Sequence, residues 1–85
     1  MMAIERMFFR KPSNILVLLL ENEMSLSEIA TRANIDHPYV IITTRKLEEG
    51  KVVRTKKEGR KRMVRLTKDG EELAMLLKKV KRFKL

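Results

Sequence analysis

The chain has no cysteine, no tryptophan and no glutamine, and a single histidine. Without cysteine there can be no disulfide and no thiolate-held metal, and His37 alone cannot build a histidine cluster. No metal and no other cofactor is therefore expected. Proline and glycine are scarce, two and three residues in 85, so each one is informative as punctuation. No apolar run approaches the ~18 residues of a membrane span. The longest run, Ile15-Leu20, has six residues. Acidic Glu5 interrupts the N-terminus before any leader-type apolar core, so neither a membrane partner nor a signal peptide is expected. No acid, base, nucleophile and metal set converges in the sequence; catalytic residues are expected to be none, and the chain is not expected to be an enzyme.

What is present in excess is positive charge. Twenty Lys and Arg against eleven Asp and Glu leave a formal net charge of +9. The excess is uneven: residues 1–50 hold six basic and seven acidic side chains, residues 51–85 fourteen basic and four acidic. A cation concentrated at one end attracts polyanions, with nucleic acid first among them. The alternative is a solvated lysine-rich surface of the kind common in heat-adapted proteins.

Length and spacing give one domain, residues 1–85, with four parts. Residues 1–12 are too apolar for a free tail and are expected to dock on the core or on a second chain. Residues 13–49 form a helical core, with Lys11-Pro12-Ser13 reading as its start because proline suits a first helical turn. The first helix is expected to reach about Asn22. Ser25 and Glu28 have the spacing of a capping box, and a short helix should follow to about Ala33, ended by Asn34 in a left-handed turn plugged by Ile35. Asp36-His37-Pro38 is the next start and Gly50 the next stop. Between them lies Val40-Ile41-Ile42-Thr43-Thr44, five β-branched residues with strand propensity. The capped ends, and Val40, Thr44 and Leu47 at i, i+4 and i+7, instead predict a helix with that stripe inward. After Gly50 the period changes to two. Residues 51–66 alternate apolar and basic about a turn at Lys57-Glu58-Gly59-Arg60, which predicts a basic β-hairpin with Val53 and Thr55 on one side and Val64 and Leu66 following after the turn. Residues 67–85 form a helix capped by Thr67, with an apolar stripe of Leu73, Leu76, Leu77, Val80 and Phe83, and a basic tail.

Helix, helix, turn, helix and basic hairpin is the order of a helix-turn-helix (25–49) carrying a β-wing. These residues resemble the winged-helix transcriptional regulators. "LSEIATRANIDHPYVIITTRKLEEGKVVR" is similar to their helix-turn-helix core, and "EGRKRMVRLTKDG" resembles the wing and next helix start of the MarR-like branch. Glu58, Arg60, Val64, Leu66, Thr67 and Gly70 occupy that branch's pattern positions, with Glu58 where Asp is usual. The resemblance covers residues 13–70 or so. It implies an α+β, mostly α fold: a three-helix core, a two-stranded β-wing and a C-terminal helix, in a minimal prokaryotic form of the archaeal kind. It also implies binding to double-stranded DNA. MarR-like proteins are longer, with terminal helices that build a dimer and a ligand pocket; this chain has little room for such a pocket, and no small-molecule effector is expected.

The interface expected from these residues has three parts. On the recognition helix, Pro38, Ile42, Arg45 and Lys46 face outward, with Tyr39 and Ile41 on the flanks. A helix fits the roughly 12 Å major groove, where Ile42 would meet thymine methyls and Arg45 guanine O6 and N7. The bland reading is that the isoleucines pack against the wing or first helix. On the wing, Lys56, Lys57, Arg60, Lys61 and Arg62 would lie on phosphates, with Arg60 entering the minor groove and Glu58 orienting it; here the bland reading is solvated hairpin charge. Ser27, Arg32 and His37 are candidates for the DNA backbone, with Ser13, Ser25 and Thr31 as further hydroxyls. A homodimer is expected, because two half-sites need two-fold symmetry, with Ile4, Phe8, Leu73, Leu76, Leu77, Val80 and Phe83 at its interface. The function expected is a sequence-specific, cytoplasmic and nucleoid-associated DNA-binding regulator. The alternatives are a non-specific architectural DNA protein and a winged-helix protein-interaction module.

Overall fold

The computed structural model describes residues 2–83, with side chains over 11–83. The elements run α1 (Met2–Leu19), β1 (Met24–Ser25), α2 (Leu26–Ala33), α3 (His37–Glu49), β2 (Val53–Glu58), β3 (Lys61–Leu66) and α4 (Lys68–Lys81). The fold class is as expected, mostly helical with a small antiparallel sheet.

The first correction concerns α1. Lys11-Pro12-Ser13 is not a helix start; α1 runs unbroken from Met2 through Pro12 and ends at Leu19, short of Asn22. An internal proline forfeits one ladder hydrogen bond and crowds the preceding turn. Burial of Ser13, Ile15, Leu16 and Leu19 along one face supplies the packing that holds the helix despite it. The side chains of Ile4 and Phe8, expected at a dimer interface, lie outside the described residues.

The capping box is present as expected. Ser25 Oγ accepts from the Glu28 amide at 3.1 Å, and the Ser25 amide donates to Glu28 Oε1 at 3.3 Å. Asn34 takes the left-handed conformation, φ 55°, and the buried Ile35 donates its amide back to the Ala30 carbonyl. At the end of α3 the same device appears one residue later than expected. Gly50 stays right-handed and Lys51 is the left-handed residue, φ 62°. The Val52 amide then reaches the Leu47 carbonyl and the Lys51 amide that of Glu48, which closes the last turn around a lysine instead of a glycine.

The wing is not an isolated pair of strands. The sheet has order β1-β3-β2, with Met24 opposite Val64 and Ser25 opposite Met63. A third strand of two residues carries no period, so it left no mark in the sequence pattern. The hairpin pairs Val53 with Leu66 and Thr55 with Val64. Its turn is shifted by one residue: Glu58 pairs with Lys61, leaving Gly59 and Arg60 as a two-residue loop with Gly59 at φ 62°. The core lies between the sheet and the helices and comprises Ile15, Leu16, Leu19, Met24, Ile29, Ile35, Val40, Val53, Val64 and Ala74.

Candidate nucleic-acid interface

Helix α3 presents one buried and one exposed side. Val40, Thr43 and Thr44 are buried and Leu47 is half-buried on the core side. Thr43 was not expected there; at one residue from Thr44 it widens the inward stripe. Pro38, Ile42, Arg45 and Lys46 are exposed, together with Glu49. Successive helical residues are ~100° apart, so Pro38, Ile42, Arg45 and Glu49 line one outward row. Ile42 is 55% exposed and Ile41 37% exposed. Two adjacent isoleucines are therefore both left at the surface, which packing alone does not require. Tyr39 is placed differently from its neighbours: it is half-buried against the core, with Lys11 Nζ 5.0 Å from its ring centroid. Its ring serves the α1–α3 contact as a cation–π partner.

The pleat separates the wing cations. Val53, Thr55 and Lys57, with their partners Leu66, Val64 and Arg62, share the face that holds the buried Val53 and Val64. Arg54, Lys56 and Glu58, with Arg65, Met63 and Lys61, share the opposite face. Of the five expected contacts, Lys57 and Arg62 thus lie on one face, Lys56 and Lys61 on the other, and Arg60 at the tip. Arg54 and Arg65 were missed, yet they stand directly opposite each other on the outer face. The two-residue alternation already present in the sequence could have placed them beside Lys56 and Lys61. Glu58 does not orient Arg60: among the described residues the two share no hydrogen bond or ion pair, and Glu58 lies across from Lys61 on the outer face.

The backbone candidates are scattered. Ser27 is exposed in the first turn of α2, and His37 is exposed at the first residue of α3. Arg32 is held by Glu21, its Nη2 2.9 Å from Oε1, in an exposed ion pair that ties the end of α2 to the end of α1. Ser25 is committed to its cap and Ser13 is buried, so neither hydroxyl is presented outward.

Helix α4 also splits the expected stripe. Gly70 and Ala74 are buried and Leu77 is half-buried against the core, on the side that meets α1 and β3. Leu73, Leu76, Val80 and Phe83 are exposed, at i, i+3, i+7 and i+10. Leu77 therefore belongs to the domain's own packing, because small Gly70 and Ala74 let that side approach closely. Among the described residues no helix is long and apolar enough to cross a membrane, and no group of three or more acidic or histidine side chains could hold a metal.

A helix-turn-helix whose third helix is half exposed, followed by a hairpin extending from a three-stranded sheet, defines the winged helix-turn-helix class. The comparisons agree. The crystal structure of AF1382 from Archaeoglobus fulgidus superposes with a TM-score of 0.85 at 30% identity, covering 96% of each chain. The chain belongs to one winged-helix family with it. An uncharacterized Archaeoglobus fulgidus protein is 36% identical over 59 residues, a match that takes in 69% of this chain and 62% of that protein's length. The homodimeric winged helix-turn-helix DNA-binding domain of Mb0332 from Mycobacterium bovis, a possible ArsR-family transcriptional regulator, has a TM-score of 0.74 at 25% identity, over 85% of this chain and 68% of that one. No family model matches the chain. The same fold is shared at 22% and 20% identity by the transcriptional regulator BldR from Sulfolobus solfataricus and the transcription regulator MepR from Staphylococcus aureus, with TM-scores of 0.80 and 0.74 over 86% and 82% of this chain and 55% of each of theirs.

Proposed function

We propose that the chain is a sequence-specific, double-stranded-DNA-binding transcriptional regulator of the MarR-like kind, acting as a homodimer in the cytoplasm at the nucleoid. The observation that carries this reading is the outward row of α3. Pro38, Ile42 and Arg45 project from a helix held from behind by Val40, Thr43, Thr44 and Leu47, beside a hairpin rich in cations. Ile42 supplies apolar surface suited to a thymine methyl, and Arg45 the fork suited to guanine. Arg60, at the hairpin tip, enters the minor groove, and the cations on either side of it meet the two flanking phosphate strands. Glu49, on the same row, is the acceptor that would favour cytosine at the far end of the helix's contact. The exposed Leu73, Leu76, Val80 and Phe83 form the dimer seam, and the homodimeric state of the Mb0332 domain supports that assignment.

Selection of bound sequences from random duplex DNA, followed by salt titration on the selected site, tests the reading. A palindromic site held at least ~10³-fold more tightly than random DNA is expected. Arg60→Ala should reduce the slope of log K against log salt by about 0.9, one phosphate's worth. Arg45→Ala should relax base choice at one position per half-site, at a cost of ~1–3 kcal/mol. Equal affinity for all duplexes would instead favour architectural binding, a reading supported by cations on both wing faces. No duplex binding at low salt would leave the interaction module.

A further inference from the structure

The link between α3 and the wing is a chain of three side chains. β2 is an edge strand, and the Thr55 amide points away from β3 to donate to Glu48 Oε2 at 3.1 Å. The Thr55 hydroxyl lies 3.0 Å from the same oxygen and 3.2 Å from Oε1, and it accepts from Arg62 Nη1 at 3.1 Å. The hydroxyl's single proton goes to the carboxylate and one of its lone pairs takes the guanidinium hydrogen, so the two bonds do not compete. Glu48 is in the last turn of α3; Arg62 is in the strand returning from the wing tip. Beyond Thr55 both strands are exposed except for the half-buried Met63. The three residues are therefore the outermost attachment on the β2 side of the hairpin, as the pairing of Ser25 with Met63 is on the β3 side. Arg62 also stands directly opposite Lys57, a like-charge pair that is unfavourable across strands unless an anion shares the face. Glu48 reaches Arg62 through the Thr55 hydroxyl, with no direct ion pair between them among the described residues.

We propose that Glu48, Thr55 and Arg62 are positioning residues that fix the pitch of the wing against α3, so that helix and wing read DNA as one rigid body. The consequence for binding rests on the DNA-binding reading above; the brace itself does not. In this role Thr55 touches no DNA. Its hydroxyl sets the distance between the major-groove and minor-groove contacts, and with it the spacing that a target must match. Arg62 keeps its remaining N–H groups for phosphate while one holds the strand in place.

Thr55→Val deletes the hydroxyl and keeps shape and strand propensity, and Thr55→Ser restores the hydroxyl. The first readout is made on the free protein: residual dipolar couplings for residues 56–62 relative to α3, with amide exchange at Thr55. The account expects the valine variant to show altered wing orientation, the serine variant to restore it, and Glu48→Ala to lose protection at the Thr55 amide. The second readout is binding. Thr55→Val should weaken the selected site by about tenfold, the worth of a lost charge-assisted bond, and narrow its margin over random DNA. The salt slope should not change, because no phosphate contact is deleted. An unchanged wing orientation in the valine variant overturns the proposal. So does a salt slope lowered by a full phosphate, which would make Arg62 a simple contact that Thr55 merely supports. If no duplex is bound at all, the couplings still decide the brace, and only the functional reading fails.

Discussion

Gly70→Ala is expected to be among the most costly single-methyl changes in this molecule. Gly70 sits in the first turn of α4, where its amide donates to Thr67 Oγ1 at 3.0 Å. A Cβ built on it would lie 1.8 Å from the Val52 carbonyl oxygen, 2.8 Å from the Val52 carbonyl carbon and 3.3 Å from Leu66 Cδ2. The first two neighbours are backbone and cannot rotate away. Relief requires the start of α4 and the entry to β2 to part by more than an ångström. That movement strains two bonds spanning the same gap, from the Thr67 amide to the Val52 carbonyl at 3.1 Å and from Thr67 Oγ1 to the Lys51 carbonyl at 2.7 Å. Overpacking costs about 1–3 kcal/mol and each weakened hydrogen bond up to ~1 kcal/mol, so a loss of roughly 3 kcal/mol is expected. In a domain of this size that is a fall in Tm of roughly 12–24 °C. Urea unfolding followed by far-UV circular dichroism measures it, at one fixed protein concentration because dimerisation would make stability concentration-dependent. Gly50→Ala is the internal control. Its Cβ meets nothing nearer than 3.6 Å and its φ is −78°, so a gain of about 0.5 kcal/mol is expected. A Gly70→Ala loss below about 0.5 kcal/mol, or the same sign at both glycines, would refute the close approach of α4 to Val52.

Two further changes test the helix that carries the interface. Thr44 is buried and its Oγ1 has no hydrogen-bond partner, so Thr44→Val should stabilise the fold by ~1 kcal/mol in the same unfolding assay. A clear loss would show that the hydroxyl is satisfied. Lys51 holds φ 62° where a side chain is disfavoured, so Lys51→Gly should add about 0.5–1 kcal/mol; no gain would mean that the turn after α3 is not left-handed in solution.

Features set by near neighbours in the chain were legible in advance. Ser25 with Glu28, Asn34 as a left-handed stop, and the alternation that makes a hairpin of residues 53–66 all follow from three- or two-residue spacing. Five β-branched residues in α3 did not mislead, because the ends of the segment and its inward stripe outweigh propensities of a few tenths of a kcal/mol per residue. What could not be read depends on contacts between distant parts. Pro12 marks a helix start in isolation, and only the burial of Ser13, Ile15, Leu16 and Leu19 keeps α1 continuous across it. The leucine spacing of α4 alone reads as one surface, since it leaves out the small residues. Gly70 and Ala74 define the inward side, and they turn Leu73 and Leu76 outward while Leu77 stays in. Lys51 took the left-handed role from Gly50 because the turn closes on Leu47 and Glu48, a geometry that residue type alone does not declare. At the interface, the outward placement of Pro38, Ile42, Arg45 and Lys46 was legible from the helical period. The half-burial of Tyr39 beside Lys11 was not, since it depends on contacts with residues far away in the chain.

The absence of cysteine makes the central claim open to direct measurement. A single Ile42→Cys, Arg60→Cys or Met75→Cys substitution gives one attachment point for an iron–EDTA cleavage reagent, because no other thiol is present. Met75 is 58% exposed on α4 and serves as the reference away from α3 and the wing. On a selected duplex, the account predicts major-groove cleavage from position 42 and flanking minor-groove cleavage from position 60 within one half-site, with little from position 75. Strong cleavage from position 75 with none from position 42 would contradict it, since α3 would then not be the element that enters DNA.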